Sequence, residues 1–178
     1  MEGNAGIISK CYIWGVDFLM ILVTLGTQDK QFKRLLDSIQ EQINIGNIKE
    51  KVVVQAGYTK YESNDMEIFN LIEREKFSKL ISECDLLITH GGVGSIITGL
   101  QNNKKVIVAP RLAKYNEHMN DHQLQITENF SNAGYIMKYC ENDNLGEILK
   151  KINKFKPKKF KSNTDNFIKL ISDYIDNN

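Results

Sequence analysis

The sequence predicts an α/β domain built on a Rossmann-like parallel sheet with flanking helices. Short aliphatic runs, without the polar alternation of half-exposed strands, recur along the chain and are typical of strands buried on both faces. Between these runs, apolar residues repeat at the three-to-four-residue spacing of amphipathic helices. Strands that alternate with helices in this way favour a parallel sheet covered on both faces.

The first half of the chain contains three predicted strands and two predicted helices. Each strand is an aliphatic or β-branched run, and the three cover residues 21–25, 51–56 and 66–70. The helices cover about residues 29–42 and 75–84, and each places large apolar side chains on one face.

The second half repeats the alternation. Its strands are predicted at residues 86–88, 105–109 and 135–139. Its helices are predicted at residues 96–102, about 117–130 and 144–152, with a last amphipathic helix at about 164–175. We therefore expect one domain at residues 20–160 and a docking helix within residues 161–178, which packs either on this domain or on a partner.

A glycine-rich loop, His90-Gly91-Gly92-Val93-Gly94-Ser95, follows the strand at residues 86–88. A helix that begins after a buried strand directs unpaired N–H groups and the positive end of its dipole at one spot. The glycines let an anion approach the backbone, and Ser95 is suited to cap the helix or to bond a phosphate oxygen. The loop predicts a phosphate or diphosphate site, although it is neither a P-loop nor a complete dinucleotide motif. The alternative is a turn that only lets helix and strand pack closely.

A second loop, Gly26-Thr27-Gln28, follows the first predicted strand. In an open parallel sheet, ligands bind at the carboxyl ends of the strands. Thr27 and Gln28 are therefore predicted to contact the same ligand. The alternative is a helix cap formed by Thr27 or Asp29.

Polar side chains are concentrated after the strand that Pro110 ends. Asp121 and Gln123 are predicted to hydrogen-bond a polar ligand, while His118 or His122 meets a phosphate. The two histidines are four residues apart, which places them on one face of the predicted helix and would allow a shared metal. Because no third ligand is evident and the His-Glu-x-x-His pattern is absent, no metal site is predicted. A solvated helix start is the alternative for each of these residues.

Composition excludes several classes of protein. The net charge is only +1, whereas a general nucleic-acid-binding protein is usually more basic, so no nucleic-acid partner is expected. The scattered cysteines, Cys11, Cys84 and Cys140, argue against a zinc site or a disulfide framework and favour the cytoplasm. No apolar run reaches the roughly 18 residues of a membrane span.

Two further segments have alternative interpretations. Residues 1–19 are partly apolar, but Asp17 interrupts the apolar run, so a signal peptide is not predicted. These residues are either an upstream start or vector sequence, or an extra strand or partner contact. Residues 150–161 contain seven lysines, and a solvated linker is favoured over a contact with an anionic membrane surface.

Four short motifs occur in order along the chain. They are Val-Thr-Leu-Gly-Thr-Gln at 23–28, His-Gly-Gly-Val-Gly-Ser at 90–95, Pro-Arg at 110–111 and Asn-Asp-His-Gln at 120–123. Together they resemble the C-terminal, nucleotide-sugar-binding half of family 28 glycosyltransferases. The resemblance implies a GT-B half-domain, a UDP-sugar donor, inversion at the anomeric carbon and a lipid-linked acceptor, with no obligatory metal or other cofactor.

The resemblance is strongest to two-component enzymes, in which this half is a separate soluble protein. One branch contains the cytosolic catalytic subunit of the N-glycan GlcNAc transferase, and the other contains bacterial capsule and exopolysaccharide transferase subunits. The segment from Pro110 to Gln123 is more similar to the bacterial branch.

The resemblance implies a donor site built from two groups of residues. The group near the donor diphosphate comprises Gly26, Thr27, Gln28, Gly91, Gly92, Gly94 and Ser95. The group near the donor sugar comprises Asp121 and Gln123, with His118, Asn120 and His122 in the same motif.

Three more residues are singled out by the proposed chemistry. The basic group of His90 or Arg111 is expected to stabilise the charge that builds up on the departing UDP. Thr98 departs from the family pattern, because many relatives have at this position a Glu that holds the ribose hydroxyls. A hydroxyl replaces that carboxylate only weakly, which puts selective UDP binding by the isolated chain in doubt.

The implied function is therefore transfer of a hexosyl group, galactose, GlcNAc or glucuronic acid, from a UDP-sugar to a polyprenyl-diphosphate-linked sugar. A membrane-anchored partner is expected to supply the acceptor site and to hold the chain at the inner face of the plasma membrane. A homodimer formed through the two chain ends is a further possibility. The rival hypothesis is a non-catalytic subunit that scaffolds or activates a partner transferase, which Thr98 favours.

Overall fold

A computed structural model describes residues 20–161 of the chain. Within them, strands and helices alternate in the order β1 (Met20–Thr24), α1 (Lys33–Asn44), β2 (Lys51–Gln55), β3 (Met66–Phe69), α2 (Arg74–Glu83), β4 (Leu86–His90), α3 (Val93–Gln101), β5 (Lys105–Ala109), α4 (His122–Asn132), β6 (Met137–Lys138) and α5 (Leu145–Ile152). A 3₁₀ turn, Ala113–Tyr115, precedes α4. The predicted N-terminal extension and C-terminal helix lie outside the described residues.

The strands form one parallel sheet in the order β3-β2-β1-β4-β5-β6. The chain order reverses at β1, so Val23 lies opposite Val54 of β2 on one side and Ile88 of β4 on the other. The predicted α/β fold with a parallel sheet and flanking helices is confirmed. The carboxyl ends of β1 and β4 are adjacent, and at such a reversal an open parallel sheet forms its ligand crevice.

Alternate residues of the central strands enter two separate cores. Val23 packs with α1 and α5 on one face of the sheet, while Leu22 packs with α2, α3 and α4 on the other. Burial of each such aliphatic side chain contributes roughly 1.5–3 kcal/mol to stability. Within residues 20–161, no helix is long and apolar enough to cross a membrane.

Two helices begin later than predicted. Helix α1 begins at Lys33 rather than residue 29, because Phe32 has an extended φ of −136° and donates its N–H to Thr59 Oγ1 at 3.1 Å. Helix α4 begins at His122 rather than near residue 117, because Asn116 has a left-handed φ of 56° that ends the preceding turn.

Helix α3 differs in the opposite sense, since it begins at Val93 rather than residue 96. Gly94 and Ser95 therefore belong to its first turn and not to a loop. Strand β6 is only Met137–Lys138, shorter than the predicted strand at 135–139.

Candidate functional site

A pocket of about 420 Å³ lies at the carboxyl ends of β1, β2, β3 and β4. Its lining residues come from the loops that follow these strands and from the first turns of α2 and α3: Gly26, Thr27, Gln55, Leu71, Ile72, Arg74, Phe77, His90, Gly92, Gly94 and Ser95. The structure thus brings the two predicted glycine loops together. Gln28, Gly91 and Thr98 do not line this pocket, nor do the predicted residues of the 118–123 motif.

The imidazole of His90 lies in a slot between two glycines. A methyl group on Gly92 would lie 2.2 Å from Nε2 of His90, and one on Gly26 would lie 2.6 Å from its Cε1. Both distances are far below van der Waals contact, so the ring occupies the space that a side chain would need. Gly26 also has a φ of +79°, which L-residues rarely adopt. Each glycine is therefore required for this position of the ring.

His90 is neutral at pH 7. Burial, reinforced by the positive charge of Arg111, lowers the pKa of its imidazole from 6.5 to about 4. The chain without ligand therefore has a neutral ring at this position, and the expected part of His90 in stabilising the leaving group stays a prediction. Its Nδ1 lies 3.4 Å from both Thr24 O and Thr89 Oγ1, so the neutral ring can pair with either and presents Nε2 as an acceptor or a donor accordingly.

The first turn of α3 presents backbone N–H groups at the pocket. Gly92 is the N-cap residue and has no side chain to bond those groups. Ser95 lines the pocket from within the turn, so of its two predicted roles the helix cap is wrong and the bond to a phosphate oxygen stays a prediction. The N–H groups and the helix dipole together favour an anion at this end.

Thr98 uses its hydroxyl within the same helix. Its Oγ1 donates to Gly94 O, four residues earlier, at 2.7 Å. This bond uses the hydroxyl proton, so Oγ1 can only accept from a ribose hydroxyl, as one neutral oxygen rather than the two charged oxygens of a carboxylate.

Gln123 connects two loops. Its Oε1 accepts from the N–H of Gly91 and from the N–H of Arg111, both at 3.0 Å, and the residue is buried. A methyl group on Gly91 would lie 2.7 Å from the Cβ of Gln123, so this contact explains why glycine is needed there. The predicted sugar-binding oxygen is thus used to join the loops after β4 and β5, which leaves Nε2 as the group available to a ligand.

Arg111 lies in the interior of the domain. It is 1% exposed, and its guanidinium donates to the backbone oxygens of Leu25 (2.7 Å), Lys30 (2.8 Å) and Glu117 (3.1 Å). The guanidinium is thus held by backbone oxygens, and its expected part in stabilising the departing UDP stays a prediction. Burial lowers its pKa to about 10, so the group remains charged at pH 7.

An ion pair between Glu117 and Arg34 extends this connection. Arg34 donates from Nε to Oε1 of Glu117 at 3.0 Å and from Nη2 to Oε2 at 2.9 Å, and Leu112 N–H donates to Oε2 at 2.9 Å. Glu117 is buried, and Arg34 is mostly so. Neither residue was predicted to belong to the site, although an acidic residue next to His118 in a polar segment was a usable signal.

The remaining residues of the polar segment lie outside the 420 Å³ pocket. Asp121 Oδ1 accepts from Ala113 N–H, Asn120 Oδ1 accepts from His122 N–H, and His118 Nδ1 accepts from Asn120 N–H. The prediction that the two histidines share a helical face is wrong, because His118 precedes the start of α4. Among residues 20–161, no three His, Cys, Asp or Glu side chains are grouped so as to hold a metal ion.

A second cavity, of about 540 Å³, lies at the carboxyl ends of β5 and β6. Asp121, Lys114 and Lys138 contribute to its wall. Lys114 pairs with Glu141, and Lys138 pairs with Glu128 at 2.6 Å. Since both lysines are already paired with carboxylates, this cavity has no excess positive charge that would bind an anion.

Five pocket residues were missed by the reasoning from sequence. They are Gln55, Leu71, Ile72, Arg74 and Phe77. Gln55 is buried and donates from Nε2 to the backbone oxygens of Gly26 and Asn70, both at 3.2 Å. A polar residue that ends the apolar run of β2 was a signal for this position, because it marks the carboxyl edge of the sheet.

The model of the glycosyltransferase family 28 C-terminal domain matches residues 20–177 of the chain. The UDP-N-acetylglucosamine transferase subunit ALG13 of Candida albicans is 34% identical over 83 residues, which are 47% of this chain and 27% of that protein. This chain thus spans only about a quarter of the length of that relative.

Two solved structures have the same fold. The kitacinnamycin glycosyltransferase superposes with a TM-score of 0.59 at 18% identity, over 86% of this chain and 39% of that one. An NMR structure of ALG13 superposes with a TM-score of 0.55 at 20% identity, over 85% of this chain and 94% of that one.

Proposed function

Because the chain belongs to the family defined by the glycosyltransferase family 28 C-terminal domain, we propose that it is the donor-binding part of an inverting glycosyltransferase. It transfers a hexosyl group from a UDP-sugar to a polyprenyl-diphosphate-linked sugar in polysaccharide biosynthesis. The group is galactose, GlcNAc or glucuronic acid. The observation that supports this most directly is the pocket where both glycine loops and the N-terminus of α3 meet.

The pocket suits a nucleoside diphosphate in charge and in shape. Its lining contains Arg74 and, among the described residues, no carboxylate. The N-terminus of α3 contributes backbone donors and a partial positive charge. Leu71, Ile72 and Phe77 form an apolar wall against which a base can lie. A diphosphate therefore binds over Gly92 and Ser95, with the nucleoside toward α2.

Transfer requires stabilisation of the UDP leaving group. In this chain the fixed N–H groups of α3 supply it, because their dipoles already point at the position where charge develops. In the tautomer whose Nδ1 accepts from Thr89 Oγ1, His90 contributes a neutral hydrogen bond from Nε2 rather than a charge. Gln123 holds Gly91 and Arg111 in place through Oε1 and offers Nε2 to the sugar.

The acceptor site and the general base come from a membrane-anchored partner, which positions this chain at the inner face of the plasma membrane. Large apolar side chains surround the carboxyl edge of the sheet and are open to solvent. They are Tyr58, Leu71, Val93, Tyr115, Met119 and Leu124. A partner that covers this rim would exclude water from the cleft and complete the active site.

The first test is calorimetric titration of the purified chain with UDP and with UDP-galactose, UDP-GlcNAc and UDP-glucuronate. We expect UDP to bind and one sugar to strengthen the binding. Gln123→Glu keeps an oxygen that accepts from Gly91 and Arg111 but removes the Nε2 donor, so it should weaken sugar-nucleotide binding at least tenfold. Because it buries a carboxylate, circular dichroism first checks that the variant is folded. Unaltered binding by this folded variant would remove Gln123 from the donor site.

The second candidate function is a non-catalytic subunit that scaffolds or activates a partner transferase. The identity of Thr98 favours it, because the ribose then has no carboxylate partner in this position. The two functions differ in the reconstituted complex with the partner. A donor-binding subunit loses transferase activity on Gln123→Glu, whereas a scaffold keeps it.

A further inference from the structure

The lysine-rich segment at residues 150–161, here named the lysine strap, packs on the domain and forms part of its surface. It contains seven of the chain's 23 basic residues, and no acidic residue occurs from Ile148 to Lys161. The chain as a whole has a net charge of only +1. Positive charge is therefore concentrated in this strap and is not a general property of the protein.

The strap is fixed by its non-lysine residues. Phe155 packs against the core formed by α1 and α5. Phe160 lies in an aromatic cluster on the opposite face, with its ring centroid 5.5 Å from that of Tyr135 and 6.5 Å from that of Phe130. The strap thus runs from one face of the sheet to the other and is anchored at both ends.

Two hydrogen bonds to backbone oxygens hold the strap between these anchors. Lys105 Nζ donates to Asn153 O at 2.6 Å, and Lys158 N–H donates to Gly134 O at 3.0 Å. Lys105 is the first residue of β5, and Gly134 precedes β6. The strap therefore crosses the amino ends of β5 and β6, at the edge of the sheet opposite to the pocket.

The seven lysine side chains are all exposed, whereas Phe155, Pro157 and Phe160 are partly covered. Lys150 pairs with Glu147 at 2.8 Å. The other six lie at 151, 154, 156, 158, 159 and 161. Lys150 and Lys151 lie in the last turn of α5, and the remaining lysines span at most about 25 Å, since an extended chain rises about 3.3 Å per residue.

From this arrangement we propose that the lysine strap is a docking surface for an anionic lipid bilayer. The strap contains lysine and no arginine, and a diffuse negative surface attracts point charges on flexible stems without the bidentate geometry that favours arginine. Because the aromatic residues face the domain, the contact is electrostatic, without insertion into the bilayer. The donor pocket, at the opposite edge of the sheet, stays open to the aqueous nucleotide.

The test is co-sedimentation of the purified full chain with vesicles of phosphatidylcholine alone or of phosphatidylcholine mixed with phosphatidylglycerol. We expect binding to the anionic vesicles only, and its loss at high salt. Each lysine at such a surface contributes about fivefold in affinity, so the combined Lys154→Gln, Lys156→Gln, Lys158→Gln and Lys159→Gln variant should bind about 600-fold more weakly.

A matched variant removes the same charge elsewhere on the exposed surface, through Lys49→Gln, Lys60→Gln, Lys76→Gln and Lys79→Gln. It should bind anionic vesicles much as the unaltered chain does. Failure of the unaltered chain to bind anionic vesicles, the result expected for an acidic protein partner, overturns the proposal. Equal loss in the two variants also overturns it. The strap variant should bind UDP as the unaltered chain does. The vesicle experiment therefore tests the lysine strap independently of the donor site.

Discussion

The two halves of the carboxyl edge are built in opposite ways. The loops after β1 and β4 are glycine-rich and present backbone to the pocket around His90. The segment after β5, from Pro110 to Gln123, is held by buried side chains, with Arg111, Glu117 and Gln123 bonded to backbone atoms of three different segments.

The difference separates where the ligand binds from what keeps the binding loops in place. Glycine gives the backbone access to an anion but adds no contacts of its own. The rigidity of the pocket therefore comes from the segment after β5, through Arg111 on Leu25 O and Gln123 on Gly91 N–H. Substitutions in the two halves should for this reason have different signatures.

The largest effect is expected from Arg111→Met. The change leaves three buried carbonyl oxygens without their donor, which should lower the free energy of unfolding by about 3–5 kcal/mol. Chemical denaturation measures this loss. Lys114→Met removes a cation from the same segment but from an exposed position, and should leave the unfolding midpoint unchanged. A similar loss in both variants would contradict the structural role of Arg111.

A smaller loss of stability, with a larger loss of ligand binding, is expected from Gly92→Ala. The new methyl group meets Nε2 of His90 and displaces the ring, at a cost of about 1–3 kcal/mol. Gly94→Ala is the matched control for stability, because no heavy atom lies within 4 Å of its added methyl group.

A double-mutant cycle sharpens this prediction. In a His90→Ala background the methyl group on Gly92 no longer meets a ring, so Gly92→Ala should cost almost nothing there. Thermal unfolding of the four proteins measures the coupling. A cost that persists without the imidazole would show that Gly92 is required for another reason.

The smallest effect is a pH dependence that arises from His90. Its pKa in the folded protein, about 4, lies below its ordinary value of 6.5, so the unfolded chain takes up the proton first as the pH falls. Stability is lost between about pH 6.5 and pH 4, by about 1 kcal/mol between pH 7 and pH 5.5. The free energy of unfolding is measured against pH for the unaltered chain and for His90→Asn. The difference between the two curves should show this loss. Parallel curves would mean that folding leaves the pKa of this imidazole at its ordinary value.

The sequence is sufficient to predict the sheet and the backbone part of the pocket. The apolar runs of β2 and β4 are too continuous for half-exposed strands, and Gly92 after such a run marks an approach to the backbone. These features are local in the chain. Both features can therefore be predicted from residues that are neighbours in the sequence.

The roles of Arg111 and Gln123 are not local. Whether a guanidinium faces a ligand or a carbonyl oxygen depends on the position of Leu25, which is 86 residues away. In the same way, the start of α4 depends on the bond between Asp121 and Ala113 across a left-handed Asn116. Leu71 and Arg74 reach the pocket only because the strand order brings the end of β3 to the same edge.

The central position of β1 has a consequence for how the chain folds during synthesis. β1 can pair with β2 early, but its other edge pairs with β4, whose Thr89 is 65 residues beyond Thr24. Until the ribosome has released that stretch, the aliphatic strand at Ile21, Leu22 and Val23 has one open edge, which is a template for pairing with another chain. Because every strand pair is parallel and non-local, closure of the sheet is intrinsically slow. Expression at lower temperature or with a holding chaperone should therefore raise the soluble yield more than substitutions on the finished surface do.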